Sequence, residues 1–166
     1  HHHLFLPGDA TFNESFATAV AEIGVARWLE AQHDAAKRDE YLAQRKRARQ
    51  FNEMLFQARE ELQKMYASDK TTVQKRKAKT RINDQLKSKI MGLSQADPLN
   101  KRLANWSQSP INNALLGATA VYYRQVPAFI HLFEKNNGDF SAFFEAVENM
   151  TQLNQDKRDA MLKVAE

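Results

Sequence analysis

Ala48, Phe51, Leu55, Ala58, Leu62 and Met65 recur at steps of three and four residues in an otherwise charged stretch. A stripe that narrow fits one side of a long helix, here ending near Ala67, that has a single packing partner. Ser68-Asp69 supplies a short turn, and Val73, Ile82, Leu86 and Ile90 are the sparse apolar residues of a second charged helix. Two long helices joined by a tight turn predict an antiparallel hairpin over 37–91. At 1.5 Å per residue its first arm reaches about 40 Å. Only five Gly and four Pro occur in 166 residues, which suits long uninterrupted helices.

The hairpin also concentrates the charge. From Lys37 to Lys89 there are 16 Lys and Arg against 7 Asp and Glu, whereas the remainder holds 8 against 13. The net charge of +4 therefore hides a basic segment in a mildly acidic chain. Two runs, Arg45-Lys46-Arg47-Ala48-Arg49 and Lys75-Arg76-Lys77-Ala78-Lys79-Thr80-Arg81, admit two readings. They form a solvated helical face partly paired with Glu53, Glu60 and Glu61, or a patch for nucleic acid or anionic lipid. Phe51 and Phe56 fall in the helical pattern as packing residues and make no exposed stacking platform. The solvated face is preferred, and nucleic acid is not an expected partner.

Hydrophobic residues at 43% and charged residues at 27% exclude collagen-like and strongly disordered classes. Cysteine is absent, which removes disulfides and thiol catalysis. No run of about 18 apolar residues is present to span a bilayer. A glycine-rich phosphate loop and a Gly-x-Ser-x-Gly elbow are both missing. His33 and His131 are isolated in helical contexts and read as surface or packing residues.

Ahead of the hairpin, Pro7-Gly8-Asp9 forms a turn. Thr11 followed by Glu14 three positions later fits a capping box, so a helix is expected from about Phe12 to the mid-thirties. Phe12, Phe16, Val20 and Ile23 make its apolar face, which Val25, Trp28 and Leu29 widen, as suits a buried helix. After the hairpin, residues 92–107 read as a connector with a turn at Ser94–Pro98 and a short apolar pattern of Leu99 and Leu103. Ser109-Pro110 reads as an N-cap with proline at the first helical position. The helix that follows places Ile111, Leu115, Ala118 and Tyr122 on one face, and Pro127 kinks or ends it. Asn136-Asn137-Gly138 is a stop, Asp139 caps a helix carrying Phe140, Phe143, Phe144 and Val147, and a last helix begins near Gln155.

Within the first helix, Asn13-Glu14-Ser15-Phe16-Ala17 is similar to the third-ligand segment of gluzincin-type zinc peptidases. There a Glu on a second helix completes a site begun by an HExxH helix. The longer string from Pro7 to Ala17 resembles a bacterial family known as predicted aminopeptidases. Asn112-Asn113-Ala114, Tyr122 and Val126-Pro127-Ala128-Phe129 match a second family segment, and residues 140–162, with Arg158-Asp159-Ala160, resemble the family's end. The hairpin matches mainly in character.

The resemblance implies a mostly helical fold, the C-terminal part of a zincin-like metallopeptidase that hydrolyses peptides with Zn²⁺. It makes Glu14 the carboxylate ligand, which a plain capping Glu would also explain. It makes the Tyr122 phenol a donor to the oxyanion of the tetrahedral intermediate, where a half-buried core tyrosine is the bland alternative. Asn13, Asn112 and Asn113 would touch substrate, or else brace the helix and satisfy helix termini.

Zinc of this kind takes three protein ligands and an open position. The sequence contains no HExxH. His1 stands thirteen positions before Glu14, the spacing of the family's second HExxH histidine. His1, His2 and His3 are therefore either native, with His1 a zinc ligand, or the remnant of an expression tag. Under both readings the first zinc histidine and the catalytic Glu lie outside these residues. Three segments follow, 1–36, 37–91 and 92–166, the last packing on the first helix within one domain. The resemblance places the protein on the periplasmic side of a bacterial envelope, with the oligomeric state open. The alternative is a non-catalytic helical interaction module whose basic hairpin binds a polyanion or a partner protein.

Overall fold

The computed structural model describes residues 4–96, 101–108 and 110–162. Among the described residues the chain forms helices and no strand, so the mostly α expectation holds. In order these are α1 (Ala10–Ala31), α2 (Ala35–Ala67), α3 (Thr72–Ala96), α4 (Lys101–Gln108), α5 (Asn113–Tyr123), α6 (Val126–Lys135), α7 (Phe140–Thr151) and α8 (Gln155–Met161). They divide into two compact units, His1–Tyr41 with Ala120–Glu166, and Leu42–Thr119.

The first unit is built on phenylalanine. Phe12, Phe16, Ala19 and Ile23 of α1 share a core with Val126, Phe129 and Phe133 of α6 and Phe143, Val147 and Met150 of α7. Phe129 lies edge-on to Phe12 at 5.2 Å and to Phe16 at 5.6 Å between ring centroids. Such pairs add about 0.5–1.5 kcal/mol each beyond their burial. Val25 and Trp28, expected to widen the buried face, are exposed, and only Leu29 goes inside. Their positions, at roughly 100° per residue, fall on the side of α1 opposite Phe12 and Phe16.

Helix ends in this unit follow local backbone chemistry. His33 takes a positive φ of 55°, the His33 amide donates to the Glu30 carbonyl and the Asp34 amide to the Leu29 carbonyl. This paired closure ends α1 just short of the mid-thirties. Asp34 then caps α2 by accepting from the Lys37 amide at 3.0 Å. The Lys37 ammonium also bonds the Asp34 carboxylate, at 2.7 Å, and holds its pKa below the ordinary value. The same closure recurs at Asn137 and Gly138, both at positive φ, and Asp139 and Asn154 cap α7 and α8 as expected.

The second unit contains the hairpin. Leu55, Ala58, Leu62 and Met65 of α2 pack with Ile82, Leu86 and Ile90 of α3. No glycine or proline falls between Gly24 and Gly92, and both arms are continuous. Thr71 caps α3 in a reciprocal box, its hydroxyl accepting from the Gln74 amide while the Gln74 side chain accepts from the Thr71 amide.

Two expectations change here. Helix α3 runs through Gly92 and Ser94 to Ala96, and α4 occupies much of the expected connector. Asp97, Pro98 and Leu99, and Ser109 as an N-cap, lie outside the described residues. Segment 92–119, grouped from sequence with the C-terminal helices, packs with the hairpin: Leu103, Trp106, Ile111 and Leu116 join its core, and Trp106 meets Phe51 edge-on at 4.9 Å.

Candidate functional site

The site is assembled from the first turn of α1. Gly8, at φ 86°, follows Pro7 in a turn closed by the Asp9 amide on the Leu6 carbonyl. A positive φ at the third position of such a turn suits glycine. Asp9 is the N-cap, and its carboxylate accepts from the Phe12 amide at 3.0 Å. Thr11 therefore lies inside the helix. The capping box predicted between Thr11 and Glu14 is absent, because the stronger capping carboxylate stands two residues earlier.

Asn13 is buried and uses its carboxamide on one neighbour. Its Oδ1 accepts from the Leu6 amide at 2.9 Å, and its Nδ2 donates to the Leu6 carbonyl at 2.8 Å. This clamp braces the chain ahead of Pro7 on α1 and accounts for Asn13 without a substrate. Asn13→Ala removes two part-buried hydrogen bonds, and a loss of about 2 kcal/mol in urea unfolding is expected. A loss below roughly 0.5 kcal/mol would mean that the segment is held elsewhere.

Glu14 is half-buried and, among the described residues, makes no hydrogen bond or ion pair. On the helical wheel it shares a face with Ala10, Ala17, Ala21, Val25 and Trp28, directed away from the phenylalanine core. Trp28 is 61% exposed. Glu14 is thus the lone charge on a small, apolar and uncovered face. Glu22, two turns on, is instead buried and partnered.

Tyr122 lies in the last turn of α5 and is 46% exposed. Its hydroxyl has no hydrogen-bond partner among the described residues. Asn112 caps α5, accepting from the Leu115 amide at 2.9 Å, and Asn113 is the exposed first residue of that helix. Glu14, Asn13 and Tyr122 belong to the first unit, and Asn112 and Asn113 to the second. His1 lies outside the described residues.

Sequence reasoning missed a cleft of about 510 Å³ in the first unit, lined by Asp9, Arg124, Gln125, Asp156 and Asp159. Arg158, itself buried, bonds Asp9 at 3.1 Å and donates to the Leu153 carbonyl. The Gln125 amide side chain donates to Asp159 at 3.2 Å, and its backbone N–H donates to the Ser15 hydroxyl at 3.3 Å. The cleft therefore ties both ends of the unit to the α1 N-terminus. Asp9 and Arg158-Asp159 stood within the quoted motifs, yet nothing local showed that they pair across the chain.

The pattern that defines the putative aminopeptidase family matches residues 1–162. The chain belongs to that family. No curated protein and no solved structure matches it. Membership in the putative aminopeptidase family points to peptidase activity and to peptides as substrate. Among the described residues no three His, Cys, Asp or Glu side chains gather to hold one. Glu14 fits as a single carboxylate ligand, being accessible and unpaired. No helix among the described residues is long and apolar enough to cross a membrane.

Proposed function

We propose that this family member is a zinc-dependent peptidase, an aminopeptidase of gluzincin-like type, in which Glu14 supplies the carboxylate ligand. The observation that carries the reading is Glu14 itself, a half-buried carboxylate that neither caps its helix nor pairs with a neighbour. An accessible carboxylate with no intramolecular partner leaves its oxygens available to a cation. The uncovered apolar face around Glu14 supports a further element packing there. The family match includes His1, which supports reading His1 as native, and the resemblance makes it the second ligand. By resemblance the remaining imidazole and the general base would belong to an HExxH segment, which residues 1–166 do not contain.

Zinc bound there would supply an acidified water and polarise the scissile carbonyl. The chain's own residues orient and stabilise. Asp9 and the Asn13 clamp fix the first turn of α1 and so the direction of Glu14. Tyr122, with an exposed and unpaired hydroxyl, donates a hydrogen bond to the oxyanion. By resemblance the proposed location is the periplasmic side of a bacterial envelope.

The test is hydrolysis of aminoacyl p-nitroanilides by the natural full-length protein. Activity is expected to vanish with a zinc chelator and to return with added zinc. Hydrolysis that survives chelation would overturn the metal assignment, and failure on every peptide with a free amino terminus would overturn the peptidase assignment.

A further inference from the structure

We propose that the apex of the α2–α3 hairpin docks on the surface of an anionic phospholipid bilayer. The inference stands independently of the peptidase reading.

Between Leu62 and Lys79 the chain carries six cations, Lys64, Lys70, Lys75, Arg76, Lys77 and Lys79, against one acid, Asp69. The other acids near such a run, Glu53, Glu60 and Glu61 on α2 and Asp84 on α3, all lie further from the apex. Lys75 donates to the Tyr66 carbonyl at 2.9 Å, which folds it onto the turn. Among the described residues the other five make no ion pair. A solvated helical face interleaves charges of both signs at three- and four-residue spacing. Here that interleaving stops within the last turns before the apex.

Two apolar groups stand in the middle of these cations. Val73 is 62% exposed and Tyr66 is 42% exposed. Val73 shares its face of α3 with Arg76 and Lys77, three and four residues on. An aliphatic side chain and a tyrosine ringed by unpaired cations match a bilayer interface, where the apolar groups enter the headgroup region and the cations meet phosphate. A phosphate polymer would use the cations but has no use for an exposed valine, and nucleic acid would need more stacking surface than one tyrosine. The reciprocal cap at Thr71 and Gln74 and the Ser68 hydroxyl on the Met65 carbonyl order the turn beforehand, so little is lost in ordering it on a surface.

The test is co-sedimentation of the full chain at low salt with vesicles of pure phosphatidylglycerol and of pure phosphatidylcholine. Binding to the anionic vesicles alone is expected. Each cation contributes roughly fivefold in partitioning, so the triple variant Lys70→Gln, Arg76→Gln, Lys77→Gln should lose on the order of a hundredfold. Val73→Ser should lose a few-fold with helicity unchanged by circular dichroism. Duplex DNA and polyphosphate serve as competitors. No binding to phosphatidylglycerol, or equal binding to phosphatidylcholine, overturns the proposal. Binding to anionic vesicles that Val73→Ser leaves untouched and that polyphosphate displaces fully also overturns it, and indicates a plain polyanion site.

Discussion

Glu14→Gln in the natural full-length protein will release zinc and lower peptide hydrolysis by at least about a hundredfold, equivalent to about 3 kcal/mol of barrier. Circular dichroism and the urea midpoint will stay close to those of the parent. The two halves of this expectation rest on separate observations. Glu14 makes no hydrogen bond or ion pair among the described residues, and Asp9 rather than Glu14 caps α1. The isosteric amide keeps shape and removes only charge and ligand strength. Asp9→Ala is the contrasting variant, expected to cost about 1 kcal/mol or more through the cap and the Arg158 pair. If Glu14→Gln retains full zinc and turnover, Glu14 is a surface residue and the ligand assignment fails.

Phe129→Ala will destabilise the first unit by about 4 kcal/mol, a large share of the 5–15 kcal/mol typical of a domain. Phe129 is fully buried and meets both Phe12 and Phe16 edge-on, so truncation removes transfer energy and aromatic contacts and leaves a cavity between α1 and α6. Urea unfolding followed by tryptophan-independent circular dichroism measures it. A loss under about 1 kcal/mol would mean that the phenylalanine cluster repacks around the gap.

What sequence could show was set by the range of the interactions. Periodicity located the hairpin because Leu55, Ala58, Leu62 and Met65 repeat within one helix, and Asp139 and Asn154 were legible as caps because a cap acts over three residues. Thr11 was misjudged for the same reason. Two residues only two positions apart, Asp9 and Thr11, both suit a cap, and the Pro7-Gly8 turn decides between them by presenting Asp9 first. The exposure of Val25 and Trp28 was not legible, since an all-round apolar helix does not say which face finds a partner. The Asp9–Arg158 pair spans nearly the whole chain, and no local pattern encodes it. Of the candidate site residues, the types were legible from motif, while their availability was not. Asn13 is consumed by Leu6 and Asn112 by its own helix, whereas Glu14 and Tyr122 remain unengaged among the described residues.

The division of the chain has a consequence for biosynthesis. Helix α1 shares its core with α6 and α7, yet all of Leu42–Thr119 is made between them. At about 5–20 residues per second a ribosome takes several seconds to cross that interval. The hairpin, whose pairings are local, closes in that time, while Phe12, Phe16 and Ile23 wait without their partners. The helix that carries Glu14 therefore waits for its partners until α6 and α7 have been made, and a nascent chain stalled before α6 would present the Phe12, Phe16 and Ile23 face to chaperones and proteases.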